Sequence, residues 1–239
     1  MKIWGHRGSH GSGGPLENTV AAFERAIAEG ADGIELDVHL SADGVPMVFH
    51  DEALDRLTDD ADPVRLEALT AAELIARRLC ADARMPTLAD VFDGFLGRIP
   101  LNVEVKTPAA VDAVARLLAG RATEGVMLSS FYPSAVRAAA DRMPAIPRGF
   151  IVEPLLSPRG WAPAFAPFLH LNRLGATHWH PHHRLVHRPL VAALRRQGIA
   201  VNVWTVNEPA AARRMARCGV DGIMTDRPGW MRRVLTRPA

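Results

Sequence analysis

A chain of 239 residues with 48% hydrophobic content can bury one large core without disulfides, and one domain spanning residues 1–239 is the natural reading. A formal charge of +2 with no long basic run excludes the electrostatic footprint of a nucleic-acid binder. Cys80 and Cys218 lie far apart without metal-ligand spacing, and no segment has the length and apolarity of a signal peptide or bilayer span; the expectation is a cytoplasmic protein with reduced thiols and no stable membrane insertion.

Short apolar runs alternate with longer amphipathic segments from end to end, the pattern of repeated β-α units with parallel strands. The first strand is predicted over Lys2 to His6. A helix follows, with Val20, Phe23 and Ile27 at helical spacing, Asn18 or Thr19 as its cap and Gly30 as its stop. The second strand runs from Gly33 to Val38. The connection from His39 to Pro86 exceeds an ordinary one and has room for a strand over Val45 to Phe49, turned back by Asp43-Gly44, and a short helix near Thr70 to Arg78. Next come a helix over Thr87 to Phe95, a strand over Leu101 to Lys106, a helix over Ala109 to Leu118, a strand over Val126 to Ser130, a helix over Pro133 to Arg142 and a strand over Arg148 to Val152. A weaker strand near Ala176 to Trp179, a helix over His187 to Gln197, a strand over Ala200 to Trp204, a helix over Glu208 to Cys218, a strand over Gly222 to Thr225 and a helix over Pro228 to Leu235 complete the order. About eight such units favour a TIM-type (β/α)8 barrel over an open sheet, with a short insertion after strand 2 at about residues 39–86.

Within the second strand, Glu35 and Asp37 stand two residues apart, so both project to one face while Ile34, Leu36 and Val38 take the other. Two partly buried acids this close repel, and a divalent cation keeps both ionised; oxygen ligands suit a hard ion such as Mg2+ or Ca2+. The same alternation in the next long strand puts Asn102, Glu104 and Lys106 on one face, which supplies a third carboxylate. Lys106 stands out because Lys2 is the only other lysine in an Arg-dominated chain. In a barrel these strand ends collect at one rim, together with His6-Arg7-Gly8 and His50-Asp51. A metal and the cations Arg7 and Lys106 suit charge building on phosphoryl oxygens, while imidazoles at positions 6 and 50 suit proton transfer on opposite sides of phosphorus.

These residues carry a resemblance. His6-Arg7-Gly8, Glu17-Asn18-Thr19 leading into Ala22-Phe23, Glu35-Leu36-Asp37-Val38, Asp43-Gly44-Val45-Pro46 and Val48-Phe49-His50-Asp51 resemble the glycerophosphodiester phosphodiesterase family in order and spacing. Asn102 to Lys106, Ser129-Ser130-Phe131, Val203 to Asn207 and Gly219 to Pro228 resemble its later blocks, so the likeness runs nearly the whole chain. It implies a barrel enzyme of lipid and glycerol metabolism that hydrolyses glycerophosphodiesters to sn-glycerol 3-phosphate and an alcohol with one divalent cation. By position it implies Glu35, Asp37 and Glu104 as metal ligands, His6 as general base, His50 as general acid, and Arg7 and Lys106 as phosphate contacts. The nucleophile is either the glycerol 2-hydroxyl, through a cyclic phosphate, or water.

The chain departs from the family pattern at Leu16, which separates Pro15 from Glu17-Asn18-Thr19, and in a Gly/Ser-rich loop from Ser9 to Pro15 that carries an extra His10. The insertion is short for the family's inserted subdomain, which leaves an open mouth. A lysophospholipase D or sphingomyelinase D-like activity on a larger diester is the alternative enzyme reading; a phosphate-ligand binding module is the non-enzyme one, and it has no need of two imidazoles. Taken alone, Glu35 and Asp37 read as the solvated face of an edge strand, and His6 or His50 as an ordinary hydrogen-bonded histidine; the joint pattern overturns both. The segment His178 to His187 reads as a solvated loop, since it holds Pro181 and no acid. Trp204 is assigned to the apolar wall of the glycerol pocket, and Asp226 to the N-cap of the last helix.

Overall fold

Strand alternation builds a closed barrel in the structure, a computed structural model describing residues 1–11, 13–58, 63–154 and 167–236. Eight parallel strands form the ring: β1 (Lys2–His6), β2 (Gly33–Leu40), β4 (Leu101–Val105), β5 (Val126–Ser130), β6 (Arg148–Val152), β7 (His178–Pro181), β8 (Ala200–Val203) and β9 (Gly222–Thr225). Pairing of β1 with both β9 and β2 closes it. The short β3 (Pro46–Val48) lies outside the ring, antiparallel to β2. Outward residues such as Ile34, Leu36, Val38, Leu101, Val103 and Val105 join one core with the surrounding helices, and Val201, Val203 and Ile223 join a second. Inward residues are polar or small at the upper end, while Trp4, Met127 and Met224 plug the interior below.

Helices follow the strands: α1 (Val20–Ala28), α2 (Ala71–Ala76), α3 (Leu88–Phe95), α4 (Ala110–Leu118), α5 (Pro133–Arg142), α6 (Pro167–Leu174), α7 (Arg188–Arg196), α8 (Pro209–Cys218) and α9 (Pro228–Thr236). Thr19 caps α1 by accepting from the Ala22 N–H, and Thr87 with Asp90 forms a capping box on α3. The insertion between β2 and α3 has its own core of Met47, Phe49, Leu54, Leu57, Leu66, Leu74, Leu79 and Met85. No helix among the described residues is long and apolar enough to cross a membrane.

Two expectations change. Helix α6 was not predicted, although Phe168, Leu171 and Leu174 recur at helical spacing. The segment from His178 is strand β7, not a solvated loop: His180 is fully buried inside the ring, and His182 and His187 cap a short 3-10 turn and α7. Cys80 and Cys218 are not joined in a disulfide with each other.

Candidate active site

Register assembles the site. Across adjacent parallel strands His6 sits beside Glu35, Glu35 beside Asn102, and Asp37 beside Glu104, so the acids predicted to share a face do so on two neighbouring strands. One oxygen from each of Glu35, Asp37 and Glu104 lies within 4.8 Å of the others, and all three residues are buried. Lys106 continues the β4 ladder by donating its N–H to Val38 O, and its Nζ lies 2.7 Å from Asp37 Oδ1 and 2.5 Å from Glu104 Oε1.

The turn after β1 is held in a strained conformation. Arg7 has φ 55° and Gly8 φ 91°, with the Gly8 N–H donating to Gly5 O. This shape aims the Arg7 N–H at Glu35 Oε2, 3.1 Å away, and folds the guanidinium between Glu17 Oε1 (2.8 Å) and Asp37 Oδ2 (3.1 Å). Asn18, also left-handed at φ 55°, donates from Nδ2 to the same Asp37 oxygen at 2.8 Å. Asp37 thus has Arg7, Asn18 and Lys106 around it, whereas among the described residues Glu35 receives only the Arg7 backbone N–H.

Electrostatics follow from that inequality. Burial pushes the Glu35 carboxyl well above its ordinary value, with repulsion from Asp37 and Glu104 adding to it. Burial also pushes Glu104 up, to about 7, with Lys106 opposing and Asp37 reinforcing. Burial works against ionised Asp37 too, but Lys106 and Arg7 override it and hold that carboxyl well below the usual range. The cluster has more negative groups than its resident cations neutralise. A buried all-oxygen donor set short of positive charge fits a hard divalent cation.

Each imidazole is anchored at Nδ1. His6 Nδ1 lies 2.7 Å from Asp226 Oδ1, and His50 Nδ1 lies 2.6 Å from Asp51 Oδ1. A carboxylate accepting from Nδ1–H leaves Nε2 as the proton-exchanging atom. The two anchors differ in charge. Asp51 also accepts from Arg56 Nε at 2.5 Å, and Arg56 reaches back to Glu17; the other oxygen of Asp226 accepts from the neutral amide of Asn207 at 2.6 Å. Burial lowers the pKa of both histidines, with the anchoring carboxylates opposing. Asp226 therefore orients His6, rather than capping α9 as the sequence suggested. Its place just beyond β9, at the rim where the other polar strand ends converge, is the signal that pointed there.

His6, Arg7, Glu35, His50, Glu104 and Lys106 border a cavity of about 210 Å3. Trp204, Phe131, Ile151 and Met224 form its apolar side; Trp204 stands edge-on to Phe131 with centroids 5.4 Å apart and donates from Nε1 to His180 O. The predicted residues thus meet at one place, Trp204 included. Asn102, fully buried with neither amide atom hydrogen-bonded, lines the floor. A second cavity of about 430 Å3 continues past His50, between Glu52, Phe131, Tyr132 and Glu153. A larger one, about 760 Å3, opens at the opposite mouth among Lys2, Trp4 and His178 and shares no acid with the cluster.

Comparison with known proteins gives a consistent picture. The model of the glycerophosphoryl diester phosphodiesterase family matches residues 6–230. A glycerophosphodiester phosphodiesterase of Caldanaerobacter subterraneus subsp. tengcongensis is 32% identical over 241 residues, which cover 93% of each chain. A solved Oleispira antarctica phosphodiesterase, in complex with the product sn-glycerol-3-phosphate, matches with a TM-score of 0.86 at 26% identity over 99% of this chain and 97% of that one. A Homo sapiens lysophospholipase D is 28% identical over 267 residues, 95% of this chain and 83% of that relative.

Proposed function

The chain belongs to the glycerophosphoryl diester phosphodiesterase family and is a phosphoric diester hydrolase; from that premise we propose that it cleaves glycerophosphodiesters to sn-glycerol 3-phosphate and an alcohol, using a divalent cation and two histidines. One observation carries this reading: three buried carboxylates lie within 4.8 Å of one another, and two of them, Glu35 and Glu104, line the cavity that His6 and His50 also line. Glu35, Asp37 and Glu104 would hold the cation, Mg2+ or Ca2+. When bound, it supplies Lewis-acid stabilisation of charge on the phosphoryl oxygens. Arg7 and Lys106 hold the surrounding acids in place and present positive charge to the phosphate.

His6, anchored at Nδ1 by Asp226, takes the proton from the nucleophile through Nε2. His50 shares its anchor with a guanidinium, which weakens the pull of Asp51 on its proton and suits it to protonating the departing alkoxide. The nucleophile is the glycerol 2-hydroxyl or water. Trp204 packs against the glycerol carbons, and the cavity past His50 gives the alcohol room. Steady-state hydrolysis of glycerophosphocholine tests the reading, with loss of activity in chelator and recovery on adding Mg2+ or Ca2+ as the expected result. Full activity in chelator overturns the metal role.

A lysophospholipase D reading is supported by the likeness to the human enzyme and by the open cavity beside His50. A lysophospholipid hydrolysed faster than glycerophosphocholine would select it.

A further inference from the structure

Asp226 is the meeting point of two imidazoles. Its Oδ1 lies 2.7 Å from His6 Nδ1 and 3.4 Å from Nε2 of His10, and donor atoms of His6, His10 and Asp226 all fall within 4.8 Å of one another. This is a second group of potential ligands beside the three carboxylates, and its chemistry differs: two nitrogens and one oxygen in place of three oxygens. Nε2 of His10 is buried and makes no satisfactory hydrogen bond, although an acceptor stands before it. A buried ring nitrogen left in that condition has capacity for a ligand.

The arrangement is fixed by the backbone. The N–H groups of His10 and Gly11 both donate to the Asp226 carbonyl oxygen at 3.2 Å. Gly11 lies so close to Arg227 that an added Cβ would stand 2.2 Å from its Cγ, so a side chain there would displace Arg227. Asp226 is oriented in turn, through Oδ2 and its own N–H, by the Asn207 amide at 2.6 and 3.1 Å. The loop that brings His10 is thus fastened to the residue that supplies the carboxylate, and that carboxylate has the supporting hydrogen bond that metal-binding carboxylates use. The three side chains remain 16–25% exposed, which leaves an approach for an ion from solvent.

We propose that His6, His10 and Asp226 form a second, inhibitory metal site selective for zinc and similar borderline divalent ions. Zn2+ takes histidine nitrogen and carboxylate oxygen in tetrahedral geometry with a water in the fourth position. Mg2+ and Ca2+ demand oxygen and stay at the carboxylate cluster. Zinc at His6 Nδ1 replaces the proton shared with Asp226; that proton leaves to solvent, Nε2 takes one up, and the ring becomes a metal-bound Nε2–H tautomer. Such a ring has no lone pair with which to accept the proton of a nucleophile. The binding half of this proposal needs only the cluster; the inhibitory half rests on the reading of His6 as base.

The experiment titrates Zn2+ into protein saturated with Mg2+, following glycerophosphocholine hydrolysis, and repeats the titration with Co2+ while recording its visible spectrum. His10→Ala and His10→Gln, both checked for an unchanged thermal midpoint, are expected to hydrolyse normally in Mg2+ and to need at least roughly tenfold more Zn2+ for the same inhibition. The wild type is expected to give the visible bands of a nitrogen-ligated, four-coordinate Co2+, and both variants to lose them. Equal inhibition of wild type and variants places zinc at the carboxylates and overturns the proposal, as does a Co2+ spectrum indifferent to His10. Bands that depend on His10 without loss of turnover uphold the site and overturn its inhibitory role, along with the assignment of His6 as base.

Discussion

At the scale of single residues, the two histidines are distinguishable by what each is anchored to, and that difference is measurable. Removing a general acid matters only when the leaving group needs a proton. His50→Ala is therefore expected to lose roughly 10²–10⁴-fold in turnover on glycerophosphocholine but little on the p-nitrophenyl ester, whose phenolate departs unassisted. His6→Ala is expected to lose activity on both, and equal losses of His50→Ala on the two esters would remove His50 from leaving-group protonation. The acids make a second prediction. Glu35 and Glu104, both raised in the folded protein, keep protons that the unfolded chain has already released above its ordinary carboxylate pKa of 4.5. Without metal, the Glu104 contribution to stability is therefore lost as pH rises from that value through about 7, and the Glu35 contribution is lost as pH rises through its own raised pKa. A divalent cation needs both ionised, so the gain in Tm on exchanging chelator for Mg2+ is expected to grow between about pH 5 and about pH 8. A gain independent of pH, measured by calorimetry, would contradict the protonation of these acids in the metal-free protein.

At the scale of elements, the turn from β1 into α1 is the piece on which the phosphate end depends. An added Cβ on Gly8 would lie 2.7 Å from the Ala22 backbone, at a φ that L side chains rarely adopt. Gly8→Ala is expected to destabilise by roughly 1–3 kcal/mol, seen in denaturant melts, and to lower turnover because the Arg7 N–H moves off Glu35. Inside the ring, a Cβ on Gly149 of β6 would lie 2.5 Å from the His180 ring on β7. These interlocks explain what was readable beforehand. Strands β1, β2, β4, β5, β6 and β9 announce themselves through alternation or β-branched runs, and the acids on β2 and β4 share a face by simple parity. By contrast, β7 is spelled with histidines, a tryptophan and a proline, and its strand character comes from pairing with β6 and β8. Asp226 looked like a cap because capping chemistry is local, whereas its partner His6 stands 220 residues away. The resemblance in Val48 to Asp51 pointed to His50, but the tie from Asp51 through Arg56 to Glu17 is tertiary and has no spacing to read.

For the molecule as a whole, the proposed mechanism gives proton delivery and phosphate capture different structural roots. Glu35, Asp37, Glu104 and Lys106 rise from or directly follow ring strands backed by the main barrel cores, while His50, Asp51 and Arg56 belong to the insertion with its own core around fully buried Leu54. Leu54→Ala opens a cavity there and is expected to cost roughly 2–5 kcal/mol. Its catalytic effect should be selective: turnover of glycerophosphocholine falls, while turnover of the p-nitrophenyl ester and Mg2+ affinity, read by titration calorimetry, hold. Equal loss on both esters would show that the insertion also shapes the phosphate end. On that mechanism the insertion, with its own core, and not the ring carries the leaving-group side of the site. Repacking that small appendage is then expected to change which alcohol is released while leaving in place the strand ends that carry the three acids.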